Sequence, residues 1–285
     1  YNYSVDGSLN GSTISQNNNV FTVLPHASNS TAFDLTFTAS DGINTATSAA
    51  QSFTLSFAPD WSGASQQAQI QHSNADGYDS FGFSVDISND GNNAIVGANA
   101  QDTGGTNAGS AYIFTRSGTS WSQQAQIQGS DTSQHDGFGN SVSISSDGDT
   151  AIVGANLEDT GGTSAGSAYI FTRSGSTWSQ QAKIQASDTQ SGDNFGVSVS
   201  ISSDGNTVVV GARTEGTGGS AYIFTVSGTS WSQQAKIQAS DAQSIDNFGV
   251  SVSISSDGSS VIVGANTEDT TATDAGSAYI FTRSG

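Results

Sequence analysis

From residue 81 onward the chain reads as short runs in which apolar and polar residues alternate. In Phe195-Gly-Val-Ser-Val-Ser-Ile-Ser202, Val199 and Ile201 point one way while Ser198, Ser200 and Ser202 point the other. A period of two marks a strand with one buried face. Three more runs follow at Thr207–Ala212, Gly219–Thr225 and Trp231–Gln238. Ser203-Asp-Gly-Asn206 joins the first pair and Ser227-Gly-Thr-Ser230 the last. Asp-Gly is a tight-hairpin signal, because glycine takes the positive φ that the turn requires. Four strands joined in this way form one antiparallel sheet, and no stretch carries apolar residues at helical spacing.

The unit repeats. Phe81-Gly82, Phe138-Gly139, Phe195-Gly196 and Phe248-Gly249 recur at intervals of 57, 57 and 53 residues. Each is followed by a strand ending in Gly-Ala, with its glycine at Gly97, Gly154, Gly211 or Gly264. An Ala-Tyr-Ile-Phe-Thr strand then begins at Ala111, Ala168, Ala221 or Ala278. Tandem four-stranded units of this length predict propeller blades. Glycine inside a strand marks a close backbone approach, so those four glycines are expected where strands crowd.

Residues 1–58 lack the repeat. Val20–Leu24, Ala32–Ala39 and Ser52–Phe57 alternate in the same way, separated by turn clusters at Asp6-Gly7, Gln16–Asn19 and Asp41-Gly42. About five strands are expected there, fewer than the roughly seven of a full sandwich. Ala58-Pro-Asp60 is the expected boundary, since proline ends a strand.

Charge narrows the partners. Net charge is −19, with 6 basic residues against 25 acidic ones. Such a surface repels phosphate backbones and anionic lipid, which argues against nucleic-acid partners. No apolar run approaches the roughly 18 residues of a membrane span, so membrane insertion is not expected. Cysteine is absent, which excludes disulfides and thiolate metal sites. Methionine is absent too and the sequence opens on Tyr1, so a processed product or an excerpt is expected.

Phe-Gly, an apolar strand and then Val-Gly-Ala together resemble the FG-GAP repeat of integrin α-subunit propellers and their bacterial relatives, over residues 61–285. The resemblance implies a β-propeller, extracellular, that serves adhesion or assembly. Residues 1–58, with Phe37-Thr-Ala-Ser-Asp-Gly42, are similar to Ig-like or cadherin-like modules. The combination resembles marine phage or bacterial surface structural proteins. Calcium-binding members carry a long acidic loop between the first two strands of a blade. Here that loop is only Ser88–Gly91, Ser146–Gly148, Ser203–Gly205 or Ser256–Gly258. Calcium needs six to eight oxygens, so the hairpin aspartates read as turn formers and no metal or cofactor is assigned.

Other candidate chemistry has a structural reading beside it. Two acids precede each Phe-Gly: Asp76 and Asp79, Asp131 and Asp136, Asp188 and Asp193, Asp241 and Asp246. Paired carboxylates suit acid–base chemistry or a cation, yet an active site in every copy is not expected. The second acid of each pair is expected to accept backbone N–H bonds and fix the crossover between blades. Leu157-Glu-Asp159 and Thr267-Glu-Asp269 are the better cation candidates, otherwise solvated loop tips. His26, His72 and His135 share no ligand spacing and read as surface residues. Trp121, Trp178 and Trp231 recur on the outer strand, where packing between blades is favoured over stacking on sugars.

The expected architecture is all-β: a four-bladed propeller of four-stranded blades, preceded by a small Ig-like sandwich module. The blades are 81–128, 138–185, 195–238 and one starting at Phe248. Residues 66–71 copy the outermost strand without a blade of their own. They are expected to pair with 278–283 and close the ring. The expected function is non-enzymatic, with no catalytic residue: a structural or adhesive protein of a virion appendage or cell surface. Other structural subunits, in a homo-oligomer or larger assembly, are the expected partners, and a cell-surface glycan or receptor is the further expectation. The alternative is a carbohydrate-binding propeller.

Overall fold

A computed structural model describes residues 64–269 and 272–283, with segments 2–6, 13–17, 20–24, 32–40, 43–48 and 51–54. The chain divides into two compact units, Tyr1–Gln66 and Gln67–Gly285. All regular structure among the described residues is β-strand.

The first unit holds β1 (Asn2–Asp6), β2 (Thr13–Asn17), β3 (Val20–Leu24), β4 (Ala32–Ser40), β5 (Thr45–Thr47) and β6 (Gln51–Thr54). The long β4 is the hub: β1, β5 and β6 all pair with it antiparallel, while β2 and β3 form a separate ladder. The expected boundary at 58–60 lies outside the described residues.

The second unit contains four successive antiparallel sheets. The first is β7 (Phe81–Ile87), β8 (Asn93–Ala98), β9 (Ser110–Ser117) and β10 (Ser120–Ile127), and the second β11 (Ser141–Ile144), β12 (Thr150–Ala155), β13 (Ser167–Ser174) and β14 (Thr177–Ile184). The third is β15 (Phe195–Ile201), β16 (Thr207–Ala212), β17 (Ser220–Ser227) and β18 (Ser230–Ile237). The fourth has three strands, β19 (Ser251–Ile254), β20 (Ser260–Ala265) and β21 (Ser277–Thr282). Each runs in sequence order from inner to outer strand, with a tight turn after the first strand and a longer loop after the second.

The core lies between sheets. Each blade turns one apolar face back to its predecessor and one forward to its successor. Ile95, Ile113 and Ile127 of the first blade thus pack with Phe138, Val142, Ile144 and Phe171 of the second. The same layer recurs between the second and third blades and between the third and fourth. Phe138, Phe195 and Phe248 are completely buried, each edge-on to a phenylalanine of the third strand at 6.0–6.1 Å. The glycine after each phenylalanine has φ between 88° and 92°, a conformation a side chain would strain. There the ladder slips, as between Phe195 and Ser198, and the phenylalanine turns into the core.

The ring does not close. Residues 64–72 carry no strand, and among the described residues β21 pairs with β20 alone. The expected pairing of 66–71 with 278–283 is therefore absent. The step between blades is set by the same backbone contact each time. Val85 at one end is 67% exposed and Ile280 at the other 73%.

Candidate functional site

The repeated contact between blades is a meeting of backbones. A Cβ placed on Gly97 would overlap the carbonyl oxygen of Gly139, on Gly154 that of Gly196, and on Gly211 that of Gly249. Only glycine lets the second strand of one blade approach the Phe-Gly bulge of the next so closely. Beside each approach a serine hydroxyl of the inner strand donates to the same carbonyl: Ser84 to Gly139 at 2.8 Å, Ser141 to Gly196 at 2.9 Å, Ser198 to Gly249 at 2.8 Å. One residue pattern thus sets the spacing between blades three times. Gly264 meets only its own Ser251.

The crossover loops use their acids as structural ties. Asp79, Asp136, Asp193 and Asp246 are buried, and each accepts the backbone N–H of the residue three earlier at 2.6–2.7 Å. Burial raises the pKa of Asp136 and Asp193, against the lowering effect of that bond.

The other acid of the pair joins a four-residue cluster. Lys183 reaches Asp131 at 2.6 Å and Glu158 at 3.0 Å, while the Tyr169 hydroxyl donates to Asp131 at 2.8 Å. Ser167 donates to the second Glu158 oxygen at 2.6 Å. Lys236, Asp188, Glu215 and Tyr222 repeat the arrangement one blade on. Burial raises the pKa of Asp131 and Glu158, but the lysine and hydroxyl donors outweigh it and hold both below the ordinary range. Burial, with the bond to Asp241, pushes Tyr279 up to about 12. Glu158 is 4% exposed and Glu268 completely buried, which corrects the reading of these two glutamates as solvated, whereas Leu157, Asp159 and Asp269 beside them are exposed. Glu158 lies inside because serine, threonine and lysine donors satisfy it there, and Ser277 donates to Glu268 at 2.6 Å. In the first blade the counterpart of Asp131 is Asn74 rather than Asp76. The cluster there is neutral: the Tyr112 hydroxyl donates to Asn74 at 3.0 Å, and Gln126 and Gln101 meet through Ser110.

The hairpin aspartates are held within their turns. Asp90, Asp147, Asp204 and Asp257 each accept the hydroxyl of the serine two residues earlier at 2.6 Å and the N–H two residues later. The serine donor pulls Asp257 down to about 2. Among the described residues no group of three or more His, Asp or Glu is placed to hold a metal.

His26 lies outside the described residues, and His135 is exposed. His72 is not a surface residue. It is 6% exposed, 3.3 Å from Asp79, and packs on Phe81 and Tyr112 at 5.0 and 4.6 Å. Its neighbours Ile70 and Gln71, read as strand, gave no sign that the next residue turns into the core. Trp178 and Trp231 tie adjacent blades, donating to Gln124 at 2.8 Å and Gln181 at 2.7 Å.

Repeated antiparallel blades joined through a Phe-Gly bulge define a protein built of tandem propeller-type blades. The FG-GAP repeat matches residues 64–114, 121–171, 178–224 and 231–281, and the chain belongs to that family. The last three matches begin in an outer strand, and all four end on the third strand of a blade. No curated protein matches the chain. Among solved structures it is similar to hydrazine synthase of Kuenenia stuttgartiensis, at 14% identity and TM-score 0.44, over 70% of this chain and 46% of that one. TolB of Acinetobacter baumannii is similar at 13% identity and TM-score 0.41, over 88% and 49%. Sqt1 of Saccharomyces cerevisiae follows at 12% and 0.41, over 68% and 45%. The chain spans about half the length of these structures.

Proposed function

We propose that this chain is a non-enzymatic structural or adhesive protein, acting outside the cell on a virion appendage or a cell surface. Its FG-GAP blades are the assembly or attachment surface. The first unit, read as an Ig-like module, serves as a spacer. The observation that supports the reading is the use made of the polar groups. In blade after blade the carboxylates, lysines and inner-strand serines bond loop to strand and blade to blade in the same pattern. That is the economy of a scaffold, in which rigid repetition matters more than one reactive centre.

Immunogold labelling with antibodies against residues 64–285 tests it. Label on intact particles or on unpermeabilised cells is the expected result, and label confined to permeabilised cells would overturn it. The recurring Trp and Gln of the outer strands support a second reading, a carbohydrate-binding propeller. A glycan array separates the two: saturable binding to one glycan class favours the second.

A further inference from the structure

A histidine–aspartate pair that the other copies lack closes the crossover loop leading into the first blade. We propose that His72 and Asp79 form a proton-dependent latch. Residues 72–80 stay closed on the first blade while a proton lies between the two side chains, and they come free when it leaves.

The repeat shows what has been exchanged. His72 stands where the later copies carry Gly129, Ala186 and Ala239. In the second copy Lys183 answers Asp131 and Glu158. In the first copy those three positions are Gln126, Asn74 and Gln101, all uncharged. The buried acid that remains is Asp79, 4% exposed. His72, 6% exposed, is the group that can answer it, with Nε2 at 3.3 Å from Oδ2. Lysine keeps its charge at neutral pH, whereas imidazole is the side chain whose charge changes between about pH 5 and 8. The exchange makes the first crossover sensitive to protons in a way that the second and third are not.

Hydrogen bonds fix where the proton lies. Asn74 Nδ2 donates to Thr103 at 3.5 Å, and its Oδ1 accepts the Tyr112 hydroxyl at 3.0 Å. That oxygen can only accept, so His72 Nδ1, 3.1 Å away, is the donor. A neutral ring has one N–H. With it at Nδ1, the Nε2 lone pair would face the carboxylate, two acceptors opposed in a buried site. A second ring proton turns that contact into a charge-assisted bond. The proton belongs on the imidazole, because Asp79 already accepts the N–H of Asp76 at 2.7 Å and such a bond favours the ionised carboxylate. The other groups around the ring do not compete for it. Phe81 of β7 and Tyr112 of β9 pack against it at 5.0 and 4.6 Å, and burial raises the Tyr112 phenol above its ordinary range. Asp76 is exposed and accepts the N–H of Gly77 at 2.7 Å.

Loss of the proton leaves a buried carboxylate without a counter-charge, which opening of the loop relieves. The loop already carries strain. Tyr78 at its tip is 96% exposed, and Tyr78 and Ser80 have φ of 73° and 56°. Such a conformation is costly for a residue other than glycine and persists only where surrounding contacts enforce it.

Two measurements on the whole chain test the latch. Long-range nitrogen–proton spectra of the imidazole rings, with His72 assigned by Overhauser contacts to Phe81 and Tyr112, report its protons directly. Both ring nitrogens should be protonated at about pH 5.5, and Nδ1 alone at about pH 8.5. Hydrogen exchange is then compared between wild type and His72→Gln at each pH, so that intrinsic rates cancel. Glutamine keeps an N–H for Asp79 but has no proton to lose. Within 73–80 the ratio of wild-type to variant rate should rise about tenfold from the lower pH to the higher, the factor carried by a hydrogen bond to a charged group. The peptide covering 188–194, which has no histidine, should keep a constant ratio. With Asp79→Asn the dependence of 73–80 should reverse, because the protonated ring then lacks a counter-charge. A ring protonated at one nitrogen alone across the whole range, a constant ratio at 73–80, or an equal change at 188–194 would each overturn the proposal. The spectra need no variant, so they decide the case even where His72→Gln disorders the loop.

Discussion

Replacing Gly211 with alanine should damage the fold, whereas the same change at Gly264 in dilute solution should not. Neither glycine has a positive φ, so alanine is conformationally acceptable at both. On that ground alone the change would stabilise by about 0.4–1 kcal/mol, through the unfolded chain. At Gly211 the new methyl overlaps the backbone carbonyl of Gly249, which belongs to another blade and cannot rotate away. Overpacking of this kind costs about 1–3 kcal/mol. Loss of the bond from Ser198 to that carbonyl adds about 1 kcal/mol. The net destabilisation is about 1–3.5 kcal/mol, or about 2–14 °C in melting temperature for a unit of this size. At Gly264 the methyl meets only the rotatable hydroxyl of Ser251, and a change within about 0.5 kcal/mol is expected. Urea unfolding at low micromolar concentration, followed by tryptophan fluorescence, compares the two. An unchanged midpoint for Gly211→Ala, or an equal fall for Gly264→Ala, would refute the argument that the glycine–carbonyl contact sets the blade spacing.

Three further outcomes are expected. Lys183→Met leaves the buried Glu158 without its ion pair and should cost about 2–4 kcal/mol at neutral pH. Glu158 and Asp131 have depressed pKa values in the fold, so their contribution is present above the ordinary carboxylate range and lost as pH falls through the folded values. The gap between wild type and Lys183→Met, followed by urea unfolding across pH, should therefore narrow on acidification, and a gap that widens would contradict it. Asp204→Ala removes the acceptor for Ser202 and Asn206 and should lower stability by about 1–2 kcal/mol. Titration calorimetry should show no micromolar calcium site that this substitution abolishes. Tyr169→Phe should cost about 1 kcal/mol, since only the bond to Asp131 is lost; an unchanged denaturation midpoint would show that bond to be idle.

Much of the blade was legible in the sequence because the repeat supplied it four times. Val199 and Ile201 alternate with serines, and those positions are indeed core and polar seam. The Asp-Gly hairpins and strand glycines carry local reasons that need no knowledge of the fold. Properties that depend on distant partners were not legible. Glu158 looks like a loop tip until Lys183, Ser167 and Thr160 are brought around it. His72 follows a strand-like run and gives no local sign of the pocket made by Phe81, Tyr112 and Asp79. Closure failed as an expectation because a matching edge and strand do not say whether one chain can bend far enough to join them. That is a property of the angle between blades, and no single repeat encodes it visibly.

Hydrogen exchange at low micromolar concentration tests the stacked, open-ended arrangement most directly. The N–H of Ile144, Ile201 and Ile254 is tied to a side chain of the preceding blade, through Asp86, Ser143 and Ser200. The N–H of Ile87 meets only its own neighbour Asp86, on an exposed strand. Peptides covering 142–145 and 199–202 should exchange slowly and the peptide covering 85–88 rapidly. Equal protection of 85–88 in dilute solution would contradict the account, because it would mean that one chain covers its own ends.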